Sequence, residues 1–150
     1  MKKRRTVAWA LIALFQASMA HAQDRKIEAA IKHRKAAFTL MSTYVSRLVQ
    51  AVEGGRPYDP ARSLEDARGV EFISRLPWEG FVPGSERGDT RAKDDIWFEE
   101  DRFRKLAIEL QSRTAALAKA AETGNLQKLR GAVDDMRDTC TRCHKAFRKD

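Results

Sequence analysis

Both cysteines of the 150-residue chain fall in one run, Cys140-Thr141-Arg142-Cys143-His144, within a dozen residues of the C-terminus. A Cys-x-x-Cys-His run is a site of covalent haem attachment. Each thiol adds to a vinyl group of the haem, and the adjacent imidazole offers a nitrogen to the iron. Residues three and four apart on a helix share a face, so Cys140, Cys143 and His144 point the same way. Two other readings use the same residues. Structural zinc takes four protein ligands, and His33 is the only further histidine beyond the first 22 residues, so a zinc site is one ligand short within one chain unless a carboxylate joins it. A thioredoxin-like redox pair belongs beside a βαβ pattern, and none is visible. One covalent haem c per chain is the favoured reading.

The compartment agrees with that chemistry. Met1 to Arg5 is basic, Val7 to Phe15 is apolar, and Ala20-His21-Ala22 has the small-residue form of a cleavage signal. This predicts a secretory leader over residues 1–22, removed after Ala22, and a mature domain over 23–150. The apolar run falls short of the roughly 20 residues that span a bilayer, so no membrane attachment is expected after cleavage. Export predicts the periplasm, where two free thiols would tend to oxidise. The formal charge of +8 includes four basic residues and no acids in the leader, which leaves +4 for the mature chain. Charges of both signs are interspersed, so nucleic acid is not an expected partner.

The elements that must position the motif read as helices. No proline or glycine occurs from Asp24 to Glu53, and Ile27, Ile31, Phe38, Met41, Val45, Leu48 and Val52 recur at steps of three, four or seven. Gly54-Gly55 ends this first helix. A second is expected from Tyr58 to Leu76, with Asp59 as N-cap, Pro60 in the first turn and Pro77 closing it. Pro77 to Lys93 is a connection that carries Trp78, Phe81 and Val82, whose burial against the bundle is expected. A third helix is expected from Asp94 or Asp95 to Thr123, with Gly124 as its stop. The last, capped by Asn125, places Leu129, Val133, Met136, Cys140, Cys143 and Phe147 on one seam. No strand periodicity appears. The fold class is therefore all-α, an antiparallel up-down-up-down four-helix bundle with the haem in its core near the C-terminus.

With these features in order, the chain resembles the cytochromes c′, the class II c-type cytochromes, over nearly all of its mature length. The residues that carry the resemblance are Ala30 to Lys35 with Leu40-Met41, then Leu76-Pro77-Trp78, Phe81 to Ser85, Asp95-Ile96-Trp97, and Cys140 through Phe147-Arg148. The resemblance implies thioethers at Cys140 and Cys143 and axial ligation of the iron by His144. It places Arg34 at the haem edge within reach of a propionate, with Lys35 and Asp95 nearby, and Arg148 beside the proximal histidine. The alternative for these charged residues is an exposed helix surface. It also implies that Phe38 covers the distal face, where low-spin relatives carry a ligating methionine. Phenylalanine cannot ligate, so a five-coordinate iron follows. His33 lies roughly 140 degrees around the helix from Phe38 and reads as a surface residue; Met41 reads as core packing.

A five-coordinate iron behind an apolar cover implies binding of small neutral gases, nitric oxide foremost and carbon monoxide as a probe. Dioxygen would lack a distal hydrogen-bond donor, and an anion would be buried without a partner. Electron transfer with a periplasmic redox partner is the second reading. An enzyme is not supported, since no distal His and Arg pair is visible for peroxide cleavage. The resemblance further implies a homodimer through the first two helices, where Leu40 and Val49 lie off the apolar stripe.

Overall fold

The computed structural model describes the backbone of residues 2–149 and the side chains of residues 23–149. Five helices follow one another: α1 (Lys2–Glu53), α2 (Pro60–Ile73), a one-turn α3 (Asp95–Phe98), α4 (Glu100–Glu122) and α5 (Leu126–Phe147). The four long ones form a bundle in which each packs on two others, in the cyclic order α1, α2, α4, α5. Helix α1 runs back to Lys2, since no proline or glycine interrupts the chain before Gly54. The leader reading concerns side chains that lie outside those described. Among the described residues no helix is long and apolar enough to cross a membrane, and extended pairing is limited to one bridge, Ala92 with Arg148.

Each helix contributes a seam of core positions at alternating steps of three and four. On α1 the seam runs Ile31, Arg34, Phe38, Met41, Val45, Leu48, Val52, and on α5 Leu129, Val133, Met136, Cys140, Cys143, Phe147. Leu48, Val70, Leu117, Leu129 and Val133 are wholly enclosed. Two polar features cross this core with partners. Ser74 on the end of α2 meets Thr114 of α4 hydroxyl to hydroxyl at 3.0 Å. Buried Asp66 of α2 accepts from Arg47 of α1 at 3.3 Å and from Arg56 of the α1–α2 loop at 3.2 Å. A carboxylate left alone there would be costly to bury.

The caps follow the sequence. Asp59 accepts from the Arg62 amide at 3.1 Å with Pro60 in the first turn, and Asn125 accepts from the Lys128 amide at 3.0 Å. Two boundaries differ from expectation. The third helix breaks at Glu99 (φ −118, ψ 42), which separates α3 from α4. The break lets α3 lie against the end of α5, where the Lys93 amide donates to the Phe147 carbonyl at 3.0 Å and Ile96 is buried with Phe147. The second helix stops at Ile73, and Pro77 opens a 3₁₀ turn, Pro77–Gly80, that docks on α1.

Gly80 is where the 3₁₀ turn touches α1. A Cβ there would lie 2.6 Å from the Ala30 carbonyl oxygen and 2.8 Å from Arg34 Cβ, so only glycine permits the approach. Gly131, on the exposed side of α5, meets nothing within 4 Å. Gly80→Ala is therefore expected to cost about 1–3 kcal/mol of holoprotein stability by overpacking. Gly131→Ala should add about 0.5–1 kcal/mol through helix propensity. Denaturant titrations of the two variants check both signs, and equal midpoints would contradict the docking argument.

Candidate functional site

The attachment motif sits where two apolar clusters meet. Cys140 packs on the main bundle core, while Cys143 packs on a smaller cluster of Ala92, Ile96 and Phe147. Burial pushes both thiols above their ordinary range, Cys143 to about 11 with the neighbouring Cys140 adding to the effect. The sulfurs are neutral thiols in an apolar seam. That seam suits the edge of a flat apolar ring. Among the described residues no group of three His, Cys, Asp or Glu side chains could hold a metal ion.

His144 lies on the same side of α5 and is exposed as a residue, with its ring enclosed enough to be desolvated. Burial first, then the charges of Arg148 and Arg91, hold its imidazole below the usual histidine range. At neutral pH it is an uncharged ring with a lone pair to give. The Arg148 Nη1 lies 3.5 Å from its Nδ1. A ligating histidine is made more basic when its second nitrogen donates to a carboxylate or carbonyl; a guanidinium beside Nδ1 does the reverse.

From Phe147 a file of aromatic rings runs across the bundle. Phe147 meets Phe103 at 5.4 Å between centroids, Phe103 meets Phe81 at 4.8 Å, and Phe81 meets Phe38 at 6.3 Å. Trp78 stacks beside Phe81 at 6.2 Å and takes the edge of Phe38 at 6.0 Å. A cavity of about 260 Å³ opens along this file, lined by Trp78, Phe81, Ile96, Trp97, Phe103 and Ala107, with Glu100 and Arg104 also in its wall. Trp97 Nε1 is buried without a hydrogen-bond partner.

Arg34 occupies a core position of α1 and is 3% exposed. Its guanidinium stacks over the Phe81 ring at 4.5 Å and donates to the connection that follows the 3₁₀ turn. Nη1 donates to the Gly80 carbonyl and Ser85 Oγ, both at 2.7 Å; Nη2 donates to the Ser85 carbonyl at 2.6 Å and Thr90 Oγ1 at 2.7 Å. Burial draws its pKa down, and Glu86 opposes that.

The expected site residues thus separate into groups. Cys140, Cys143, His144 and Arg148 lie on one stretch of α5, and Phe38 stands at the far end of the aromatic file. Lys35 is exposed and paired with the carboxylate of Asp89 in the connection. Asp95 is exposed at the start of α3 and forms no ion pair with Lys35 among the described residues. Asp89 and Thr90 had no signal in the sequence, and Ser85 entered only as part of the Phe81 to Ser85 segment of the resemblance; all three lie in an irregular loop without periodicity. Arg34 had a signal, as the one charged residue on the α1 seam. His33 is a surface residue, its Nε2 2.8 Å from the Leu76 carbonyl and 3.2 Å from Glu79. Met41 is buried in the main core.

The residues present fit a covalent haem: two thiols on an apolar seam, an uncharged imidazole beside them, a file of aromatic rings across the bundle, and a buried indole N–H of Trp97 without a partner. Comparisons with known proteins point the same way. The family model of cytochrome c′ matches residues 29–148. A cytochrome c′ of Alcaligenes xylosoxydans is 38% identical over 127 residues, covering 85% of this chain and 98% of that one. The solved cytochrome c′ of Shewanella frigidimarina superposes with a TM-score of 0.81 at 32% identity, covering 83% and 97% of the two chains. A nitric oxide complex of a variant Alcaligenes xylosoxidans cytochrome c′ gives 0.78 at 36% identity, over 83% and 96%, and a carbon monoxide-bound variant of that protein gives 0.77, also at 36%, over 83% and 97%. The chain belongs to the cytochrome c′ family, and its cofactor is haem c, carried covalently by its only two cysteines, Cys140 and Cys143.

Proposed function

We propose that this cytochrome c′ is a periplasmic gas-binding protein that takes up nitric oxide, and carbon monoxide less strongly, and thereby protects against nitrosative stress. In this reading residues 1–22 are the removed leader and 23–150 the mature domain. His144 would supply a nitrogen to the haem iron, and the haem, when bound, would supply a metal able to take a diatomic ligand. The protein acts as a binder, without catalytic groups of its own.

The observation that carries the reading is the character of the chain around Phe38. Its ring stands against Trp78 and Phe81, and the nearby donors are mostly engaged. The indole of Trp78 donates to the Ser74 carbonyl at 2.6 Å, and both Nη groups of Arg34 are engaged with the connection, which leaves only its Nε–H. Among the described residues of α1, Met41 is committed to the core and His33 to Leu76 and Glu79. What this wall offers a ligand is apolar ring surface, which admits small neutral gases and disfavours anions and ligands that need a hydrogen bond. On the other side, the cation beside His144 Nδ1 keeps the imidazole a weak donor. The nitric oxide and carbon monoxide complexes of the Alcaligenes relative support the same ligand class.

The reading also pairs two copies through α1 and α2. Leu40 is 49% exposed on α1, and Phe72 is 66% exposed on α2, with Leu76 further along. The Leu76 carbonyl, just beyond the end of α2, lies 2.8 Å from His33 Nε2 of α1. Val49, also expected at this face, is half-buried against the core.

Optical spectra of the holoprotein check the ligand reading: a five-coordinate ferrous form is expected, changing on addition of nitric oxide or carbon monoxide. A six-coordinate low-spin ferrous spectrum without added ligand would overturn it. Phe38→Ala should speed carbon monoxide association and tighten binding on the order of tenfold, about 1.4 kcal/mol of relieved exclusion; unchanged kinetics would remove Phe38 as the gate. For the dimer, Phe72→Glu should shift sedimentation toward the monomer, and an unchanged mass would place the interface elsewhere.

A further inference from the structure

We propose that Arg34 is a positioning residue: it clamps the wall formed by Trp78 and Phe81 and so sets how fast a gas passes Phe38, instead of serving as a two-handed partner for a carboxylate of the cofactor. The kinetic half of this rests on the gas-binding reading; the clamp itself rests on geometry.

A guanidinium has five N–H donors. Four of them are engaged within the protein, two on Nη1 and two on Nη2, with acceptors at Gly80, Ser85 and Thr90. Only the Nε–H remains. A carboxylate recognised by arginine in the usual forked geometry needs two parallel N–H groups, and releasing two here would strand buried acceptors, among them the Gly80 and Ser85 carbonyls. The donors instead tie three points of the connection to a core position of α1. Ser85 is wholly buried under that tie.

The tie fixes the aromatic wall directly. Gly80 lies against α1 with no room for a methyl group, and the next residue, Phe81, is held flat under the Arg34 guanidinium. Trp78, one turn earlier, is anchored by its own bond to the Ser74 carbonyl, and Ser74 is in turn bonded to Thr114. Phe38 presents to both rings edge-on, with interplanar angles of 86° and 72°. To swing aside it must displace one of two anchored rings. The barrier to gas passage therefore belongs to the wall and its clamp as much as to Phe38.

A gate that relaxes to the same state before and after ligand binding lowers the barrier in both directions. Flash photolysis and stopped flow on the ferrous holoprotein should find that Arg34→Gln raises the association and dissociation rates of carbon monoxide by the same factor, on the order of tenfold, with affinity unchanged. In the Phe38→Ala background the same substitution should add nothing, since the two act on one barrier. Amide hydrogen exchange over residues 81–90 should quicken in Arg34→Gln. Ser85→Ala, which keeps the arginine and removes one acceptor, should give a smaller effect of the same form and replaces Arg34→Gln should that variant fail to fold. A changed affinity with an unchanged dissociation rate, full acceleration in the Phe38→Ala background, or unaltered exchange over 81–90 would each overturn the proposal. Failure of the wild-type protein to bind carbon monoxide would instead overturn the gas-binding reading, and the exchange data would then decide the clamp alone.

Discussion

A guanidinium placed on a core seam must find acceptors for its donors, and in this bundle that requirement joins the irregular part of the chain to the regular part. Helix α1 alternates threes and fours from Ile31 to Val52, and Arg34 takes a position that an aliphatic side chain would otherwise hold. Burying that charge is tolerable only because the Gly80, Ser85 and Thr90 acceptors come to it. The connection between α2 and α3 is thereby drawn onto α1, Gly80 is pressed against the helix backbone, and Phe81 and Trp78 are delivered into the space beside Phe38.

The other half of the site obeys the opposite logic. The α5 seam is apolar without interruption until Cys140, and the two cysteine sulfurs extend it without adding charge, since a thioether carries none. Cys140 belongs to the main core and Cys143 to the smaller cluster under α3, so the attachment motif is the junction between them. The aromatic file from Phe147 to Phe38 links this junction to the wall that Arg34 holds. One side of the site is thus built from a helix surface and the other from a loop fastened to a helix.

This division explains what could be read in the sequence. The seams, the N-caps at Asp59 and Asn125, and the Cys140 to His144 run are periodic or local signals, and they place four helices and the attachment site correctly. The break at Glu99 has no local signal. It arises because Ile96 and the Lys93 amide are held against the end of α5, a contact between residues about fifty positions apart. The pairing of Lys35 with Asp89 has no local signal either, because Asp89 stands in a loop whose course depends on bonds made by Arg34. Arg34 itself was legible as a departure: a charged residue on an apolar stripe signals a buried partner, though not which one.

Attachment through both cysteines to α5 makes the cofactor, in effect, an oversized side chain of that helix. A loosely held ligand stabilises a fold by mass action, and its loss on unfolding makes recovery depend on meeting it again in solution. Here the group remains on residues three apart in the chain when the bundle opens. Refolding of the core then stays a first-order event at any dilution, independent of any pool of free cofactor.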